Sequence, residues 1–232
     1  MSSSASPMRG RRRAASAALS LAALLGGEDA FAGAQQYEVL SASVRATLAR
    51  AVNDRASVDT KDLDTRAWVR AMTKRVVARF PDEDAAREFL ALVRYEAMRA
   101  GLDPHLVLAV IDVESRFRKY AVSSAGARGL MQVMPFWVRE LGDSGHNLFH
   151  ERTNLRYGCT ILRHYLDREN GNMARALARY NGSLGQSDYS NRVLKALRDR
   201  WALGAQAFAG GAATGLAVTS SRNFLLTRPG RS

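Results

Sequence analysis

The chain has 232 residues, an apolar fraction of 47% and a formal net charge of +12 at neutral pH. That is enough chain and enough apolar material for one or two small domains with a buried core. The lone cysteine, Cys159, excludes an internal disulfide and any multi-cysteine zinc knuckle, and nothing suggests redox chemistry. So basic a chain attracts an anionic partner. Its cations are scattered along helices with acids between them, and no nucleic-acid fold motif is visible, so nucleic acid is not expected. An anionic cell envelope is the preferred partner, beside the plainer reading of a solvated basic surface.

In chain order, residues 1–34 read as a secretory signal peptide. Arg9, Arg11, Arg12 and Arg13 form a basic start, residues 14–25 an apolar stretch too short to span a bilayer, and Ala30-Phe31-Ala32 or Ala32-Gly33-Ala34 a small-residue cleavage site. A basic tail is the alternative, because Glu28 and Asp29 are unusual just ahead of such a site. Residues 35–82 form a helical extension. Tyr37, Leu40, Val44, Leu48 and Val52 recur every three or four positions and predict a helix over 37–52, and Trp68, Met72 and Val76 predict another over 64–80, ended by Pro81. Both periodicities suit core packing better than a membrane surface. A third helix is predicted over 82–100, carrying Phe89, Leu92, Val93 and Met98 and stopping at Gly101.

Asp103 is a natural N-cap and Pro104 suits the first helical position, which predicts a helix over 103–118. Leu106, Val107, Val110, Ile111, Val113 and Phe117 are its apolar residues, and Glu114 projects from the same flank. Partial burial and the negative end of the helix dipole both push a carboxyl pKa upward there. A neutral carboxylic acid near pH 7 is what protonation of a glycosidic oxygen requires. The alternative is a structural carboxylate paired with Arg116 or Arg118. Gly126 and Gly129 then allow a tight turn that delivers Leu130, Met131 and Gln132 as the start of another helix, which Pro135 stops or follows with the next. The chain continues helical to Leu141 and loops to Phe149. Further helices are predicted over 154–167, 173–180 and 189–201, with the turn Asn170-Gly171-Asn172 between the first two. Residues 204–232, crowded with Gly and Ala, read as a mobile tail.

Read together, Glu114-Ser115-x-Phe117, Ala121-x-Ser123, Gly126-Ala127-x-Gly129-Leu130-Met131-Gln132 and Met134-Pro135 resemble the signature of the Slt-type lytic transglycosylases, which cleave bacterial peptidoglycan. Three later stretches resemble further motifs of that family. They are Leu148-Phe149 through Asn154-x-x-x-Gly158, Tyr180-Asn181-Gly182, and Tyr189-x-x-x-Val193. Departures are Tyr157 or Cys159 where a smaller residue is usual, Ser183 and Leu184 in place of Gly-Pro, and Phe136 and Trp137 in place of a threonine. The resemblance implies an all-α fold, a lysozyme-like catalytic domain over 83–203 behind the N-terminal helical extension.

It also implies how one carboxylate suffices. Asp112 lies two residues from Glu114, on the opposite side of the helix, and between Ser115 and Arg139 there is no Asp or Glu. Asp188 and Glu151 are the least remote candidates for a second acid. In the family's mechanism Glu114 protonates the leaving oxygen, then draws the proton from the C6 hydroxyl of N-acetylmuramic acid, closing a 1,6-anhydro ring without water. A tethered hydroxyl suits that step. A hydrolytic muramidase of the same fold and a catalytically silent glycan-binding or structural component of the envelope are the alternatives.

Five further residues are implied as substrate contacts. Ser123 holds the sugar or caps the turn, Gln132 lines the cleft or is solvated, and Met134 lies against the sugar only on the strength of the resemblance, since methionine at such spacing is usually core. Tyr180 is expected to reach the cleft and bond Glu114, with Tyr189 in a similar role. His146 and His150 are four apart with Glu151 following, but they lie in a predicted loop and no further ligand is spaced to join them, so no metal is expected, and no cofactor either. The expected partner is the peptidoglycan glycan strand, the expected location periplasmic or secreted, with no stable membrane insertion once the signal is removed. The sequence identifies no assembly partner.

Overall fold

Periodicity predicts the helices better than it predicts their ends. A computed structural model describes residues 35–54, 62–143 and 145–202. The predicted signal peptide and C-terminal tail lie outside the described residues. Among the described residues the chain is all-α, with α1 at Ala42–Asn53, α2 at Leu63–Val76, α3 at Glu83–Arg99, α4 at Pro104–Glu114, α5 at Phe136–Leu141, α6 at Glu151–Arg168, α7 at Met173–Asn181 and α8 at Asp188–Ala196. A 3₁₀ turn at Val77–Arg79 follows α2, and a π-helical turn at Leu197–Trp201 follows α8.

Caps set most of the boundaries. Asp62, Asp82 and Asp103 each accept a backbone N–H of the first turn of α2, α3 and α4, and Pro104 opens α4 as expected. The first helix starts at Ala42 rather than Tyr37, because Ser41 caps it by accepting from Val44 N. Residues 35–41 are therefore not helical. Met98, expected to face the core, is 57% exposed.

The centre of the core is α4, in which every residue from Pro104 to Asp112 is buried. A helix apolar nearly all round must be enclosed on several sides. Here α3, α8 and the π turn pack around it. Around this centre α6 packs on α3, α7 and α1, while α2 packs on α3, and Trp68, Met72 and Val76 are buried as their spacing predicts. The core also contains a carboxylate. Glu96 of α3 is fully buried and meets Arg156 of α6 at 2.9 and 3.3 Å, Arg99 at 3.0 Å and Arg152 at 3.6 Å. This cluster ties α3 to α6.

Candidate active site

Glu114 is the last residue of α4, four residues short of the predicted end. The helix stops because Arg116 and Phe117 both take left-handed backbone conformations, at φ of 53° and 65°. Such conformations are unfavourable for side-chain-bearing residues and persist only where the surroundings enforce them. Here the enforcement is packing. Phe117 is buried, with its ring 5.3 Å from Trp201 and 6.0 Å from Phe89, and with the Arg79 guanidinium 5.0 Å from its centre. The consequence is that Glu114 sits at the carbonyl end of its helix, where the dipole disfavours its anion.

The residue keeps part of its surface toward solvent, but protein packs densely around the carboxyl group. Burial pushes its pKa up to about 8, against the pull of a hydrogen bond from Tyr189 and the charge of Arg192. The Tyr189 hydroxyl donates to Glu114 Oε1 at 2.7 Å. Burial and the neighbouring carboxylate hold the Tyr189 phenol well above its ordinary pKa, so it remains a donor. Both Tyr189 and Arg192 come from α8, which packs directly on α4.

Tyr180 does not make the expected bond to Glu114. Its hydroxyl donates instead to the Met131 carbonyl at 2.7 Å, and its side chain is fully buried at the end of α7. Burial comes first and the Glu114 charge second in raising its phenol well above the ordinary value, so it still lies within electrostatic reach of the carboxylate. The two tyrosines thus divide the work expected of one: Tyr189 holds the acid and Tyr180 holds the turn beside it.

That turn is not the helix start predicted at Leu130. Residues 122–133 form a folded-back loop with isolated antiparallel bridges between Val122 and Arg128 and between Arg128 and Val133. Gln132 takes φ of 49°, which a helix cannot contain, and its buried amide donates to the Gly129 carbonyl at 2.9 Å and the Ala121 carbonyl at 3.2 Å. The Ser123 hydroxyl accepts from Ala127 N at 3.1 Å and closes the neighbouring turn. Met134 is half-buried against the core.

Asn154 on α6 was legible in the sequence only as part of a motif; its role was not. Its Oδ1 accepts from Met131 N at 2.8 Å, and its Nδ2 donates to the Arg128 and Leu148 carbonyls at 2.8 and 2.9 Å. At Gly129, φ is 76° and a Cβ would lie 2.4 Å from Asn154 Nδ2, so glycine is required on both counts. One turn along α6 from Asn154, a Cβ at Gly158 would lie 2.4 Å from Met131 Sδ. The spacing Asn154-x-x-x-Gly158 places an anchor and a gap on one helix face, and the loop sits in them.

Of the other acids considered, Asp188 opens α8 beside Tyr189, and Asp112 and Glu151 have partners of their own. Asp112 accepts from Trp201 Nε1 at 3.0 Å and lies 3.1 Å from Arg200 Nε, and Glu151 lies 3.3 Å from Lys119. No carboxylate is among the groups that shift Glu114. His146 Nδ1 is 2.8 Å from the Tyr157 hydroxyl. Among the described residues no three of His, Cys, Asp and Glu gather as metal ligands, and no helix is long and apolar enough to cross a membrane.

Residues 91–212 match the family described as Transglycosylase SLT domain. Over 53 residues the chain is 55% identical to the membrane-bound lytic murein transglycosylase C of Actinobacillus pleuropneumoniae, a stretch that is 23% of this chain and 14% of that protein. Over 92 residues it is 38% identical to a transglycosylase of Enterobacteria phage PRD1, covering 40% of this chain and 34% of the relative. The lytic transglycosylase Slt of Pseudomonas aeruginosa is similar at 31% identity and a TM-score of 0.39, over 56% of this chain and 22% of that one. The chain therefore spans only a minor part of the length of these relatives.

Proposed function

Since the chain belongs to the transglycosylase SLT domain family, which its residues 91–212 match, we propose that it is a peptidoglycan lytic transglycosylase in which Glu114 alone carries both proton transfers. The neutral Glu114 carboxyl protonates the oxygen linking N-acetylmuramic acid to N-acetylglucosamine. The resulting carboxylate then takes the proton of the C6 hydroxyl as that oxygen closes on C1, giving a 1,6-anhydro end and consuming no water. Tyr189 fixes one carboxyl oxygen and leaves the other for the glycan. Gln132, Ser123 and Tyr180 shape the loop that borders the sugar, and Met134 lies against it. The protein acts in the cell envelope, exported by residues 1–34.

The observation that carries this reading is the state of Glu114: an enclosed carboxyl with a pKa of about 8 and one hydroxyl donor. Such a group is protonated at neutral pH and still within reach of ionisation, as an acid that must later serve as base requires. The reading is tested by incubating purified peptidoglycan with the protein and with its Glu114→Gln variant, then weighing the soluble fragments by mass spectrometry. Fragments lighter by one water than reducing-end products, absent with the variant, are the expected result. Reducing ends would make the protein a hydrolase with a second acid, and no fragments at all would make it a binding or structural component.

A further inference from the structure

Residues 35–41, outside the family match, touch both sides of the site. On one side, the Met134 N–H donates to Gln35 Oε1 at 3.1 Å, and the Tyr37 ring meets Phe136 edge-on at 5.6 Å. On the other, the Gln35 carboxamide lies beside the Tyr180 phenol, Gln36 Nε2 reaches the Gly182 carbonyl at 3.5 Å, and Glu38 pairs with Arg179 at 3.1 Å and with Arg168. Met134 closes the loop after the acid and Phe136 opens α5, while Tyr180 and Gly182 belong to the end of α7. A chain joined to both lies over the junction where the Tyr180 hydroxyl meets the Met131 carbonyl. We propose that this segment is a strap that competes with the glycan strand for the cleft, so that the protein holds itself occluded until a glycan displaces it. The inference rests on the reading of the cleft as a glycan site.

The way the strap is held suits displacement. Gln35 is only 4% exposed, and beyond the Met134 N–H its carboxamide meets the Tyr180 phenol. Gln36 meets Gly182 at the outer limit of a hydrogen bond, and Val39 is 82% exposed. The firmest hold is the Glu38 pair of contacts, which are partly exposed ion pairs of modest strength. Against this stands the tether. The strap runs into α1, which packs on α5 and α6, so its local concentration stays high and a weak contact is enough to keep it in place. A glycan then binds with its intrinsic affinity reduced by the fraction of molecules whose strap is open. The sugar offers what Gln35 offers, an amide carbonyl for the Met134 N–H, together with hydroxyls.

The test uses the Glu114→Gln protein, so that glycan is not consumed, and the same protein carrying Gln35→Ala and Glu38→Ala. A tetramer of β-1,4-linked N-acetylglucosamine is titrated into each by calorimetry. The strap requires the altered protein to bind about tenfold tighter, roughly 1.4 kcal/mol. Hydrogen exchange on the unaltered strap gives an independent reading: adding the tetramer must speed exchange at residues 36–41. Equal or weaker binding, or slowed exchange, would make the segment a wall of the cleft and overturn the strap while leaving the glycan site standing. Absence of binding by either protein would overturn the glycan site, and the strap with it.

Discussion

Two glutamates, Glu96 on α3 and Glu114 on α4, are surrounded by protein, and their surroundings differ in kind. Glu96 has three arginines within reach, two of them from α6, and all of its hydrogen-bonding capacity points into a cross-helix clamp. Glu114 has one tyrosine hydroxyl and the more distant charge of Arg192, and its pKa rises to about 8. A carboxylate compensated on several sides holds helices together; one that is enclosed but left with a neutral donor is kept ready to accept and release a proton. Burial alone therefore does not separate a structural acid from a chemical one. The inventory of partners does.

The contrast breaks if the two residues respond alike to mutation. Glu114→Gln should lower turnover on peptidoglycan by about 10³-fold or more, measured as release of soluble fragments, while thermal unfolding shows the fold retained. Glu96→Ala should do the reverse. Removing it leaves the buried Arg156 uncompensated and should destabilise the protein by about 3–5 kcal/mol, read from denaturant unfolding, with turnover per folded molecule unchanged. A loss of activity in folded Glu96→Ala protein would mean that the clamp positions the site.

The pH dependence of stability sharpens the same difference. Because the folded-state pKa of Glu114 is raised from 4.5 to about 8, the folded protein holds a proton there that the unfolded chain has released. Its contribution to stability is then full below pH 4.5 and is lost as pH rises toward 8, with a limiting slope of about 1.4 kcal/mol per pH unit. Glu114→Gln removes the titration. The gap between variant and parent in unfolding free energy should widen in the variant's favour across that window and stay level above it. A constant gap would show that Glu114 titrates normally.

Much of this was legible in the sequence, and the parts that were not have a common cause. The position of Glu114 on the apolar flank of a helix follows from spacing, as does the buried face of α2 and, in α3, the burial of Phe89 and Val93 but not of Met98. The end of α4 does not follow, since Phe117 continues the apolar pattern and only its contacts with Trp201 and Phe89, from distant parts of the chain, turn the backbone left-handed. For the same reason the loop at Leu130 looks helical until Asn154 is seen to supply its hydrogen bonds. That Tyr189 alone of the two tyrosines bonds Glu114, while Tyr180 turns to the Met131 carbonyl, depends on how the two helices sit, and local sequence carries no record of that. Gln35 escaped notice because nothing in its neighbours marks a glutamine as buried.

The smallest expected effect tests the bond to Glu114, which was expected first of Tyr180 and is made by Tyr189. In Tyr189→Phe the ring remains to fill its buried place, and only the hydroxyl bonded to Glu114 Oε1 is lost. That bond favours the ionised form, opposing the effect of burial. Its removal should therefore raise the Glu114 pKa further, so that the fall in activity with rising pH moves to higher pH than in the parent. Turnover near neutral pH should drop by about tenfold, as expected when one hydrogen bond of about 1.4 kcal/mol orients the acid. Tyr180→Phe should instead leave the pH profile in place and loosen the loop at Met131, visible as faster amide exchange there, because its hydroxyl serves a carbonyl and not the acid. If Tyr180→Phe shifts the profile and Tyr189→Phe does not, the assignment of the two hydroxyls is reversed.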